Sequence, residues 1–179
     1  MFYLAGKKVS RSRTKLTAAI NMNKIQISPE KKIDDALVIW HEQTPDVDIV
    51  VDARPPYGLK MKPGSVKVLY VFGLLGITKA DQIVKMLKSF VDLLEKDGEL
   101  YIIEQDFDYI LRSLLGGDLS LQEFNKDYLR TTYLNQDEIV HLLEKVGFPA
   151  KDQVWWQSSP KFTKKNSEVI IMAKKNNLQ

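Results

Sequence analysis

The segment "SVKVLYVFGLLGITKADQIVKMLKSFVDLLEKDGELYIIEQ" (residues 65–105) decides the fold class. It opens and closes with apolar runs rich in β-branched residues, and the stretch between them repeats apolar residues at helical spacing. We predict a strand over residues 65–76, a helix that starts near Thr78 and is ended by Gly98 in the left-handed conformation, and a strand over "ELYIIEQ". A strand, a helix and a strand joined by short connections form a right-handed parallel crossover.

Upstream of this unit, two further strands are predicted. "VDIVVDA" (Val47–Ala53) is continuous and lies between prolines, which is typical of a strand covered on both faces. "AAINMNKIQIS" (residues 18–28) reads as another strand. Between them, "SPEKKIDDALVIWHEQ" (residues 28–43) predicts an amphipathic helix capped by Ser28, although "ALVIW" would also suit a strand.

Downstream, the pattern predicts a helical insertion, a capped helix and a strand pair. "LSLQEFNKDYL" (residues 119–129) is the insertion, and Asn135 caps "QDEIVHLLEKVGF", which Gly147 closes. "QVWWQSS" and "SEVIIMAKK" form an antiparallel pair at the sheet edge. The predicted fold class is α/β, with a doubly wound, mainly parallel sheet and an antiparallel C-terminal strand pair.

Composition limits the function classes. With 179 residues, 44% of them hydrophobic, the chain is expected to form a single domain over residues 1–179. It has no cysteine and only two distant histidines, so disulfides and a structural zinc site are not expected. The apolar start "MFYLAG" is too short for a signal peptide core, and the protein is expected to be cytoplasmic.

Basic residues are concentrated near the N-terminus, although the net charge is only +3. The segment "KKVSRSRTK" (Lys7 to Lys15) holds five of the 26 basic residues and no acid. Such a segment is usually a solvated loop, but it could also contact phosphates of a nucleotide or nucleic acid, or an acidic protein partner. The residues concerned are Lys7, Lys8, Arg11, Arg13 and Lys15.

The order of elements and four local sequences resemble the class I S-adenosylmethionine-dependent methyltransferases, in particular a small bacterial type. The sequences are "DIVVDARPP" followed by "GSVKVLYVFGLLGI", then "LLEKDGELYII", and last "EIVHLLEKVGF" before the paired strands. The resemblance implies a Rossmann-like methyltransferase fold with S-adenosylmethionine at the carboxyl ends of the parallel strands. It also implies transfer of a methyl group to an acceptor that the sequence does not identify.

The resemblance implies specific cofactor contacts. Asp52 would accept a hydrogen bond from the adenine amino group, with Ala53 beside it. Phe72 and Gly73 would line the methionine end. Asn23 is the best match to the acid that holds the ribose hydroxyls, and an amide there would lack the stronger charge-assisted bond. Without the resemblance, Asp52 would be read as a strand-terminal acid that caps the next loop.

The sequence departs from the family at the glycine-rich turn after the first strand. In "YLAGKKVSRSR" only Gly6 remains, followed by Lys7 and Lys8, where the cofactor carboxylate and sulfonium would lie. Side chains at those positions oppose close approach of the cofactor. An alternative function is therefore a non-catalytic module of this fold that binds a partner or nucleic acid through residues 7–15.

Catalytic candidates follow the predicted fifth strand. Glu104, Asp106 and Asp108 lie at the rim of the expected cleft, and Glu104 or Asp106 could act as a general base on the acceptor. Acid clusters of this kind are more often solvated, and methyl transfer can need only proximity and alignment. The loop from Arg112 to Arg130 is expected to govern the choice of acceptor.

Overall fold

The described residues form a seven-stranded sheet in the order β3-β2-β1-β4-β5-β7-β6. The computed structural model describes residues 24–28, 33, 35–40, 45–47, 49–50, 61–128, 130–148, 154–158 and 168–175. The first five strands are parallel, and β7 is antiparallel to both β5 and β6. The predicted fold class is therefore confirmed, including the antiparallel C-terminal pair. The strands are β1 (Lys24–Ile27), β2 (Leu37–Trp40), β3 (Ile49–Val50), β4 (Val66–Phe72), β5 (Leu94–Gln105), β6 (Val154–Ser158) and β7 (Glu168–Lys174).

The predicted crossover is present, with a short extra helix. β4 ends at Phe72, and the rest of the predicted strand forms the four-residue helix α1 (Leu74–Ile77). Helix α2 (Ala80–Leu93) then leads to β5. Its apolar side is buried as the helical spacing predicts, because it packs on the sheet. The buried residues are Ile83, Met86, Leu87, Phe90, Val91 and Leu93.

The helix predicted over residues 28–43 is wrong, because its second half forms β2. Leu37, Val38 and Ile39 are each at most 4% exposed, so consecutive side chains are covered on both sheet faces, which suits a central parallel strand. Backbone bonding holds this arrangement: the Ser28 N–H donates to the Ile39 carbonyl at 3.2 Å. The buried Gln26 side chain also accepts a bond from the Ile33 N–H at 2.8 Å. Tertiary pairing thus overrides the local capping signal at Ser28.

The predicted role of Gly98 is also wrong. Helix α2 already ends at Leu93, and the left-handed residue is not Gly98 but Asp97, at φ 61°, within β5. Gly98 is required for space instead. A Cβ there would lie 3.0 Å from the Glu95 carbonyl oxygen and 3.1 Å from that of Val66. The bulge in the β4–β5 pairing near Val66 therefore brings two backbone oxygens close to Gly98, where a larger residue would force the backbone to shift.

The main core lies between the sheet and helices α2 and α5 (Gln136–Lys145). Asn135 begins α5 with a capping box to Glu138, and Gly147 follows the helix at φ 104°, as predicted. Helix α3 (Phe107–Gly116) was not predicted. The short helix α4 (Leu121–Glu123) and a π-helical turn (Phe124–Tyr128) form the predicted insertion.

A smaller apolar cluster includes Phe72, Ile103 and Ile170, with Tyr70 and Tyr101 packed against it. The two tyrosine rings stack with centroids 4.9 Å apart. Burial, together with the hydrogen bond from the Tyr101 hydroxyl to the Glu99 carboxylate, raises the pKa of Tyr101 to about 12. Tyr101 therefore stays protonated at neutral pH and acts as a donor in this cluster.

We predict that Gly98→Ala lowers the free energy of unfolding by about 1–3 kcal/mol, because the added methyl group meets two backbone oxygens that cannot move independently. Urea unfolding measures the change. Gly116→Ala is the matched control, since its Cβ would meet only the Asp118 carboxylate at 3.7 Å and alanine favours the helix. Equal stability of the two variants would contradict the steric account of Gly98.

Candidate functional site

The parallel strands create a topological switch point between β1 and β4. The chain leaves β1 toward β2 on one side, and it leaves β4 toward β5 on the other. Ligands of open α/β sheets bind beyond the carboxyl ends of the strands at such a point. The described residues at this edge are Ser28 after β1, Phe72 and Gly73 after β4, and Glu104 and Gln105 at the end of β5.

Gly73 provides open backbone at this edge. It adopts a left-handed conformation, with φ 63° and ψ 15°, and its N–H donates to the Ile103 carbonyl at 2.9 Å. A Cβ at this position would meet no atom of the described residues within 4 Å. The side chain of Phe72, in contrast, is only 6% exposed and belongs to the cluster with Ile103 and Ile170. The two predicted residues therefore lie at the expected edge, with Gly73 facing open space.

Glu104 is a buried carboxylate that holds the start of helix α1. Its side chain is 5% exposed, and Oε1 accepts a hydrogen bond from the Leu75 N–H at 2.6 Å. The N-cap residue of α1 is Gly73, which has no side chain to bond the free amides. Glu104 supplies this contact from the neighbouring strand, with the added strength of an ionised acceptor.

Asp106 caps a different helix. Its Oδ1 accepts hydrogen bonds from the Asp108 N–H at 3.1 Å and the Tyr109 N–H at 3.4 Å, at the start of α3. Asp108 is exposed. Both predicted catalytic candidates, Glu104 and Asp106, thus have structural bonds at helix starts, and their catalytic role stays a prediction.

Residues 130–134 close over helix α1. The N–H groups of Thr131 and Thr132 both donate to the Gly76 carbonyl, at 2.9 and 3.0 Å. The Thr132 hydroxyl donates to the Thr78 carbonyl at 2.7 Å. A Cβ on Gly76 would lie 3.1 Å from the Arg130 Cδ, so glycine lets the stem of Arg130 pack closely on the helix.

These elements border a cleft that opens partly to solvent, and the space between its lining atoms, with the solvent-open part included, is about 290 Å³. One wall is aromatic: the Phe107 and Tyr133 rings lie 4.8 Å apart at an angle of 40°, and Phe124 stacks beyond Tyr133 at 6.1 Å. The cleft has both polar and apolar sides. Its lining residues are Gly76, Glu104, Gln105, Phe107, Ile110, Arg130, Thr132, Tyr133 and Leu134.

Sequence reasoning named Glu104 but missed most of this lining. Gln105 is the last residue of β5, and Arg130 was noted only as the end of a loop that governs acceptor choice. Tyr133 carries no local motif, yet its hydroxyl accepts a hydrogen bond from the Arg130 N–H at 3.2 Å. A polar residue at the carboxyl end of a buried parallel strand was the available signal for Gln105.

The remaining predicted site residues lie outside the described residues. These are Gly6, Asn23, Asp52, Ala53 and the basic residues Lys7, Lys8, Arg11, Arg13 and Lys15. Asp52 follows the described end of β3, Val50, by two positions, and β3 ends at the same sheet edge as β1 and β4. No helix in the described part of the chain combines the length and apolar character needed to cross a membrane.

We predict that Glu104→Ala lowers the free energy of unfolding by about 1–3 kcal/mol, because the Leu75 N–H loses its acceptor inside the protein. Asp106→Ala, which removes an exposed helix cap, should cost about 1 kcal/mol. Urea unfolding of both variants measures the difference. A Glu104→Ala protein as stable as the wild type would mean that Glu104 is not structural, and a catalytic role would gain support.

Comparison with known proteins identifies the fold. No protein-family model matches the chain, and no curated protein matches it in sequence. Among solved structures, it is similar to a SAM-dependent methyltransferase from Archaeoglobus fulgidus, with a TM-score of 0.62 and 13% identity over 93% of this chain and 95% of that one. A SAM-dependent methyltransferase from Thermotoga maritima, described as a possible histamine N-methyltransferase, gives 0.57 and 16% over 93% and 92%.

A third similar structure contains ligands. It is the 1,6-didemethyltoxoflavin-N1-methyltransferase of Burkholderia thailandensis, with bound 1,6-didemethyltoxoflavin and S-adenosylhomocysteine. Its TM-score is 0.56 and its identity 14%, over 94% of this chain and 79% of that one. At identities this low, the similarity concerns the fold alone. This chain has the fold of the S-adenosylmethionine-dependent methyltransferases.

Proposed function

We propose that this protein is an S-adenosylmethionine-dependent methyltransferase whose cofactor lies over the carboxyl ends of β1 and β4 and whose acceptor enters the cleft between α1 and residues 130–134. The observation that carries the proposal is the open, left-handed Gly73 at the switch point, at the start of helix α1, whose Gly76 lines that cleft. Such a position lets a ligand approach the backbone closely, since no side chain intervenes.

The described residues fit this cofactor on its methionine side. At Gly73 no side chain covers the backbone, and a Cβ there would have space among the described residues. We place Asp52 at the adenine and Ala53 beside it, because β3 ends at the same edge. S-adenosylmethionine would supply a methyl group on a positively charged sulfur. Glu104, by holding α1 in place, keeps the cleft positioned so that an acceptor atom can be aligned with that group.

We further propose that the glycine-rich cofactor turn is degenerate. The first described strand of the sheet is β1, next to β4 at the switch point, and the residues after it are "SPEKK", with no glycine before Gly58. Earlier in the chain, Gly6 is followed by two lysines. A turn without glycine cannot approach the cofactor as closely. We therefore expect S-adenosylmethionine to bind more weakly than it would to a protein of this fold with glycine in that turn. The family branch that this suits best is the small bacterial type.

The alternative function is a non-catalytic module that binds polyanions or an acidic partner. The concentration of five basic residues between Lys7 and Lys15 favours it. The two functions differ in an observable way. Cofactor binding at Gly73 supports the enzyme, whereas salt-sensitive binding of DNA without any cofactor affinity supports the module.

Titration calorimetry with S-adenosylmethionine and S-adenosylhomocysteine tests the proposal. We expect micromolar binding that Gly73→Ala weakens at least about tenfold, because the new methyl group projects into the cofactor space. Gly64→Ala is a matched control, since Gly64 lies just before the amino end of β4, also has positive φ (70°), and has equally open surroundings. Both variants carry the same backbone strain, but Gly64→Ala should leave affinity unchanged.

Asp52→Ala gives a second, independent readout, with an expected loss of affinity of about tenfold from the missing adenine hydrogen bond. Absence of binding heat up to millimolar ligand would contradict the proposal. Equal affinities of the Gly73→Ala and Gly64→Ala variants would contradict the placement of the cofactor, even if binding occurs.

A further inference from the structure

We infer that this protein forms a two-fold symmetric dimer in which helix α3 packs antiparallel against α3 of a second copy. The contact residues on each copy are Asp108, Leu111, Arg112 and Leu115. The inference goes beyond the proposed function, because it names a protein partner and holds whichever ligand the protein binds.

Apolar residues extend around α3 well beyond the side that faces the protein. On the inner side, Ile110 is 2% exposed, and the Phe107 ring lies 4.8 Å from that of Tyr133. On the outer side, Leu111 is 39% exposed and Leu115 is 79% exposed. A helix with so wide an apolar surface is typical of one that is covered on more than one side. The chain itself covers only the inner side.

The outer side of α3 has the residue spacing of a helix–helix contact. Asp108, Leu111, Arg112 and Leu115 lie at intervals of three, one and three positions. Residues three or four positions apart are neighbours on a helix surface, so these four form one continuous side over two turns. All four are exposed, so none of them is needed for the packing of α3 on its own chain.

A further exposed leucine follows the end of α3. The Leu119 N–H donates to the Ser113 carbonyl at 3.0 Å, so the chain turns back toward α3 before α4 begins. Leu121, the first residue of α4, is 69% exposed. Single exposed leucines are ordinary on a protein surface, whereas three of them within residues 111–121 indicate a contact surface.

The charges on the outer side of α3 favour a second copy of this chain as the partner. In a two-fold contact both copies present the same residues, so the surface has to be complementary to itself. Asp108 and Arg112 carry opposite charges, and neither forms a salt bridge among the described residues. The Arg112 Nε donates to the Asp108 carbonyl oxygen at 3.2 Å, which leaves the Nη groups and the Asp108 carboxylate for a partner.

An antiparallel pair with the two-fold axis at Leu111 joins these features. Leu111 packs on the partner's Leu111. Position 112 then lies opposite the partner's position 110, so Arg112 has to reach only about 3 Å along the helix axis to the partner's Asp108. The symmetry forms this ion pair twice, and Leu115 covers the first turn of the partner's helix.

Analytical ultracentrifugation of the full chain tests the inference. At micromolar to submillimolar concentration we expect a species of twice the monomer mass of 20.6 kDa. Leu115→Ser should raise the dissociation constant at least about tenfold, because each dimer loses two buried leucine side chains. Val84→Ser is the matched control: Val84 is also exposed on a helix, at 36%, but lies on α2. A monomer over the whole range, or equal effects of the two variants, would overturn the inference.

Charge reversal tests the antiparallel arrangement itself. Arg112→Glu places an acid opposite the partner's Asp108 twice in each dimer, so we expect the dissociation constant to rise at least about tenfold. Adding Asp108→Arg to this variant restores opposite charges in exchanged positions and should return the dissociation constant to near that of the wild type. A dimer indifferent to Arg112→Glu, or a double variant that does not recover, would contradict the α3 contact even if the protein is dimeric.

Discussion

The hydrogen bond between the Glu104 carboxylate and the Leu75 N–H joins the end of β5 to helix α1, which follows β4. β4 and β5 are neighbours in the sheet, but they lead into different helices: β4 is followed by α1 and β5 by α3. This bond fixes the first turn of α1 against the end of β5. Because a four-residue helix has little stability of its own, its position depends on such outside contacts.

The rest of the site is built on that fixed turn. The Gly76 carbonyl in α1 accepts the N–H groups of Thr131 and Thr132, which brings the segment with Arg130 and Tyr133 over the cleft. Gly73, at the start of the same turn, stays open toward the switch point. One short helix therefore borders both the proposed cofactor space and the proposed acceptor space.

Sequence patterns predicted the helices and strands whose apolar residues repeat regularly over many consecutive positions. The apolar stripe of α2 and the continuous strands β4 and β5 were recognised because burial follows their periodicity. Residues 28–43 were assigned to a helix because Ser28 offers a good helix cap. The alternative that "ALVIW" suits a strand is confirmed by β2, but the pairing that decides between the two is not visible locally. The role of Gly98 likewise depends on the Val66 carbonyl, which belongs to another strand.

The site was predictable only in outline. The rule for parallel sheets located it at the ends of β4 and β5, and Gly73 and Glu104 were named in advance. The bond from Glu104 to Leu75 joins residues 29 positions apart, and Gln105 and Arg130 line one cleft only because separate segments pack together. Neither property has a signature in a single sequence.

Backbone amide NMR of the isotope-labelled protein tests the central claim that ligands bind at the carboxyl edge of β4. On addition of S-adenosylhomocysteine, the account predicts that the Gly73 and Leu75 amide signals shift, since both lie at that edge. The Gly64 and Ser65 signals, just before the amino end of the same strand, should stay in place. Shifts confined to Gly64 and Ser65, or no shift at millimolar ligand, would contradict it.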